Sequence, residues 1–122
     1  METFCDDPRI FGFWQSEDIN GVPQDPMWAV HEFRRDGTVI RATVWIENGK
    51  VERFVDETDD FTFLKGQLRR GRRNQVGVLE TDYQDQPLRF VNGEIQFDYE
   101  DSPGVATWIR IESVEAVDRK RR

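Results

Sequence analysis

The chain has 122 residues, 37% of them apolar and 12% aromatic, and a formal net charge of −7. That is the size of one domain, thin in aliphatic residues but supplied with rings that bury about 150–250 Å² each. A single cysteine and a single histidine exclude an internal disulfide, a cysteine-based zinc site and a multi-histidine metal centre, and a chain this acidic is a poor general binder of nucleic acid.

No apolar run approaches the roughly 18–20 residues of a membrane span. The start, Met1 to Pro8, has neither a basic nor an apolar stretch, so no signal peptide is expected and the cytoplasm is the expected location. Charge is uneven. Residues 1–66 carry 14 acids and 7 bases, whereas residues 67–122 carry 10 of each. Two basic clusters stand out, Arg69, Arg70, Arg72, Arg73 and the tail Arg119, Lys120, Arg121, Arg122. They read as a solvated loop and a frayed terminus. The acidic half suits a basic protein partner.

In chain order, alternation predicts strands near 10–17, 27–35, 38–47, 50–57, 60–65, 67–72, 75–83, 87–91, 94–100 and 105–113. Pro23 and Pro26 make 18–26 a loop. Asp36-Gly37, Asn48-Gly49 and Asn92-Gly93, each between alternating apolar residues, are hairpin signals. Consecutive hairpins leave open edges unless the sheet closes. The expected fold is therefore all-β: one antiparallel up-and-down barrel of about eight to ten strands over residues 1–113, with a mobile basic tail at 114–122.

Taken as two-residue turns, Asp36-Gly37 and Asn48-Gly49 set a register. Phe33 then faces Ile40, His31 faces Ala42, and Val44 faces Arg53. One face would hold Met27, Ala29, His31, Phe33, Ile40, Ala42, Val44, Ile46, Val51, Arg53 and Val55, and is the expected interior. The other would hold Trp28, Val30, Glu32, Arg34, Arg41, Thr43, Trp45, Glu52 and Phe54. Around Asn92-Gly93, Leu88, Phe90, Ile95, Phe97 and Tyr99 share one side.

Gly12-Phe13-Trp14 on the first strand resembles the Gly-x-Trp signature of the lipocalin and fatty-acid-binding barrels. That resemblance implies that Trp14 closes the barrel base and packs against an Arg of the last strand, here Arg110. Phe33-Arg34-Arg35-Asp36-Gly37-Thr38 is similar to a hairpin of small bacterial lipocalin-like domains. The chain departs from the family in having no disulfide, no two-helix lid and no helix after the barrel.

His31 and Arg53, with Phe33 and Val44, are the candidate ligand contacts. A buried Arg needs an anionic partner, which can be a ligand carboxylate or a protein acid such as Glu57. His31 can bind a ligand or simply be a half-buried histidine satisfied by a carbonyl. Trp28, Trp45 and Phe54 are the candidate interaction surface. Asp56-Glu57-Thr58-Asp59-Asp60 lacks the spacing of a calcium loop and reads as a solvated turn. Cys5 sits beside Asp6 and Asp7, which should raise its pKa. No cofactor fingerprint or catalytic constellation is present. The leading expectation is a non-enzymatic lipocalin-like protein binding a small hydrophobic or anionic amphiphilic ligand, with no metal and no cofactor. The alternatives are an acidic interaction module, such as an immunity protein or phage-type inhibitor, and a barrel cyclase or isomerase. A homodimer is left open.

Overall fold

A computed structural model describes residues 3–16, 27–99 and 103–117. Ten strands run in chain order: β1 (Gly12–Ser16), β2 (Met27–Phe33), β3 (Thr38–Glu47), β4 (Lys50–Leu64), β5 (Gln67–Arg73), β6 (Leu79–Glu80), β7 (Gln86–Pro87), β8 (Arg89–Val91), β9 (Glu94–Asp98) and β10 (Val105–Ile111). They form one antiparallel sheet in the order β6-β5-β4-β3-β2-β1-β10-β9-β8, with β7 also on β5. The path is not closed by hydrogen bonds. Leu88 separates β7, which pairs with β5, from β8, which pairs with β9, and its N–H donates to the Gly66 carbonyl at 2.9 Å. No α-helix occurs among the described residues.

Local chemistry explains most turns. Asn48-Gly49, Lys65-Gly66 and Asn92-Gly93 hold both central residues at positive φ, the geometry whose twist matches the flanking strands. Two of these turns fix the register as the sequence predicts, with Val44 opposite Arg53 and Phe90 opposite Ile95. The predicted strands at 50–57 and 60–65 are one continuous β4, whereas 75–83 contracts to Leu79–Glu80. The first strand starts at Gly12, because Pro8–Ile10 forms a 3₁₀ turn in which the Arg9 N–H is capped by the Asp7 carboxylate.

Asp36-Gly37 behaves differently. Arg34 N–H donates to the Thr38 carbonyl at 2.8 Å, and Gly37 N–H to the Arg34 carbonyl at 3.1 Å. Three residues, not two, therefore lie in the turn. Gly37 takes φ +90° at its end, and the Asp36 carboxylate accepts from the Thr38 N–H and hydroxyl. The extra residue moves the pairing by one: Phe33 faces Val39, His31 faces Arg41, and Met27 faces Trp45. In a strand a one-residue slip exchanges the faces, so β3 and the first half of β4 turn over relative to the expected arrangement.

The sheet consequently has two packed faces. An aromatic face gathers Ile10, Trp14, Phe33, Val39, Phe61, Phe63, Leu68, Leu88, Ile95 and Trp108. An aliphatic face gathers Trp28, Val30, Ala42, Val44 and Ile111 beneath Val114 and Val117. Residues 114–117 thus belong to the folded unit and not to a mobile tail, because the two valines cover the sheet there. The basic cluster at 119–122 and the loop at 18–26 lie outside the described residues.

Trp14 anchors the aromatic face at its first strand. The ring is 1% exposed, and its Nε1–H donates to the Ile10 carbonyl at 2.8 Å. The Arg110 guanidinium lies 4.1 Å over the ring, the contact expected from the sequence, and donates to the carbonyls of Phe11 and Arg9. Gly12 explains the remainder of the Gly-x-Trp motif: at φ +117°, a Cβ there would sit 2.7 Å from Arg110 Nη1. Only glycine leaves room for the guanidinium.

Candidate ligand site on the aromatic face

His31 lies on β2 between Trp14 and Arg41, its cross-strand partners. The imidazole is 6% exposed and stacks on Trp108, ring centroids 4.3 Å apart. Burial, with the positive charges of Arg70 and Arg41 in support, lowers its pKa to about 3. The ring is therefore neutral at ordinary pH. Its Nδ1 is buried and has no hydrogen-bond partner among the described residues. Such an atom costs roughly 1–3 kcal/mol in desolvation, and native proteins rarely leave one without a reason.

Arg41 reaches the aromatic face by the shifted register, and Arg70 follows Leu68 by two residues on β5, placing both on one side of that strand. Neither has an ion-pair partner among the described residues. Arg70 lines a cavity of about 560 Å³ with Asp82, Tyr83, Gln86, Phe97 and Tyr99 among its walls. Phe97 meets Trp108 edge-on at 5.1 Å, so the cavity wall continues directly into the Trp108–His31 stack. The segment beside the cavity is held by Arg69, whose guanidinium bonds the Asp85 carboxylate at 2.8 Å. Chemically, the cavity offers Arg70 and aromatic walls beside Asp82, Asp85 and Asp98, the last two already bonded to Arg69 and Arg89, while Arg41 and the neutral imidazole lie outside its lining.

The expected pairing of His31 with Arg53 does not occur. Arg53 faces Val44 on the aliphatic side, is exposed, and lines a cleft of about 130 Å³ with Val30, Ile40, Ala42 and Val55. Phe33 stays with His31, whereas Val44 is fully buried on the opposite face. The expected aromatic patch also divides: Trp28 is 4% exposed and packs among the aliphatic residues, leaving Trp45 and Phe54 on the other side. Each correction has one cause, the three-residue turn before Thr38. Arg41 and Arg70 escape a reading of the sequence because one depends on that register and the other sits in an arginine cluster. The alternation of buried Leu68 with Arg70 is the signal that could have found the latter.

Elsewhere the chemistry is plain. The Asp56–Asp60 run belongs to β4 and is not a turn. The Cys5 thiol is pushed up mainly by burial, with the Asp6 and Asp7 charges adding to it, and donates to the Asp7 carbonyl. Among the described residues no cluster of three His, Cys, Asp or Glu side chains could hold a metal, and no helix is long and apolar enough to cross a membrane. Compared with protein families, curated proteins and solved structures, the chain matches none of them.

Proposed function

We propose that the sheet closes into a lipocalin-like barrel with the aromatic face inside, and that the protein is a non-enzymatic binder of a small amphiphilic anion. Closure is supported by Leu88, which carries the chain in one step from the β5 edge to the β9 edge. The Arg110 guanidinium over Trp14 supports the resemblance on which the fold reading rests. The observation that carries the function is the Nδ1 of His31, unpartnered among the described residues, close to two arginines that form no ion pair there. An anion at the cavity of about 560 Å³ would give Arg70 its missing partner, while its apolar body lies against Phe97.

Titration with anilinonaphthalene sulfonate, read by quenching of tryptophan fluorescence, tests this. Saturable binding is expected. Arg70→Gln should weaken it roughly 10–100-fold, the loss of a charge-assisted hydrogen bond, and Arg53→Gln should leave it unchanged. Absence of saturable binding, or equal losses from the two variants, would overturn the reading.

A further inference from the structure

The two edges of β4 are unequal. Residues 50–60 pair with β3 on one side, but on the other β5 takes up only Asp60–Leu64. From Glu52 to Thr58 the strand is exposed, with Phe54 64% and Val55 49% accessible. Its outer row of N–H and C=O groups has no strand partner among the described residues. Such a row is a template for an added strand.

A second copy of the chain is a poor occupant. The ladder shifts at Asp56, since Arg41 faces Glu57 while Ala42 faces Val55, so the edge runs straight only from Lys50 to Val55. Two-fold pairing of a strand with itself must be centred on one residue. Centring on Glu52 or Arg53 opposes that charge to its own copy, and centring on Phe54 opposes Glu52 to Asp56. Centring on Val55 carries the pairing across the bulge, and centring on Val51 overlaps only Lys50–Glu52. Like charges directly opposite one another are destabilising.

Glu52, Phe54 and Glu57 share one face of the strand, with Asp56 turned to the same side by its bond from the Thr43 hydroxyl, within a half of the chain that carries 14 acids and 7 bases. We propose that this edge binds an extended segment of a basic partner protein by strand addition, with an apolar residue against Phe54 and Lys or Arg opposite Glu52 and Glu57. Backbone pairing supplies the attachment and the charges select the partner. The site is separate from the aromatic-face cavity and does not depend on it.

The experiment is calorimetric titration of the full chain with an octapeptide whose alternate residues read lysine, valine, lysine along one face, with threonine between them. Two control peptides accompany it, one methylated at alternate backbone nitrogens and one with glutamate in place of each lysine. Saturable binding of the first peptide is expected, with amide shifts confined to 50–58 in the heteronuclear spectrum and both controls roughly tenfold or more weaker. Glu52→Lys with Glu57→Lys should reverse the preference toward the glutamate peptide, and these exposed positions keep the variant folded. Equal binding of the methylated peptide would overturn strand addition, as would no binding at all. Concentration-dependent dimerisation abolished by Phe54→Lys would assign the edge to a second copy instead.

Discussion

The two faces of the sheet are built on different terms. The aliphatic face closes with branched side chains and the cover of Val114 and Val117, and no unpartnered buried polar atom is found there among the described residues. The aromatic face is packed by rings at edge-on and stacked angles, yet within it lie an imidazole nitrogen and two arginines that have no partner or counter-ion among the described residues. Burial alone does not distinguish the faces, since Trp14 and Val44 are both almost fully buried. Satisfaction of polar groups does. That contrast is the basis of the proposal that an anion binds on the aromatic face.

The largest expected effect separates the faces by packing. Trp14→Ala removes the ring beneath Arg110 and should cost about 3–5 kcal/mol in chemical denaturation. Val114→Ala, on the cover of the aliphatic face, should cost about 1–2 kcal/mol. Equal losses would mean that the Trp14 anchor is not the principal joint of the fold.

Acid should act through the aromatic face. The unfolded chain protonates its imidazole near 6.5, whereas the folded chain does so only near 3. The unfolded state therefore binds more protons across that window, and stability falls as pH drops from about 6.5 toward about 3. The slope reaches about 1.4 kcal/mol per pH unit for this one group. His31→Phe should remove that component, so that the wild type loses stability relative to the variant as the pH is lowered. Parallel curves from pH 7 to 4, measured by urea unfolding, would contradict a buried neutral imidazole.

A smaller effect tests the Gly-x-Trp motif. Gly12→Ala places a Cβ against Arg110 Nη1 at an unfavourable φ and should cost about 1–3 kcal/mol. The double variant with Arg110→Ala should recover part of that loss, because the steric conflict is gone while the backbone strain remains. No recovery in the cycle would separate the glycine from the guanidinium.

These contrasts also explain which parts of the molecule could be read from sequence. The Asn48-Gly49 and Asn92-Gly93 hairpins are encoded locally, because a two-residue turn with both φ values positive nearly requires those residues. Asp36-Gly37 is ambiguous: Gly also ends a three-residue turn, and Asp36 stabilises that version through Thr38. That single difference decided which of Arg41 and Arg53 joins His31. The bulge at Asp56 is a property of two strands together and has no local signature. Val114 and Val117 carry too little apolar signal among charged neighbours to announce that they cover the sheet.

The most direct test of the site uses the fact that the chain has one histidine. Its imidazole signals in a long-range proton–nitrogen spectrum report tautomer and protonation without assignment. His31 should remain neutral from pH 8 to about 4. Its nitrogen signals should move on saturation with anilinonaphthalene sulfonate, and Arg70→Gln should suppress that movement. An imidazole that titrates near 6.5 and is indifferent to the anion would contradict a ligand site on the aromatic face.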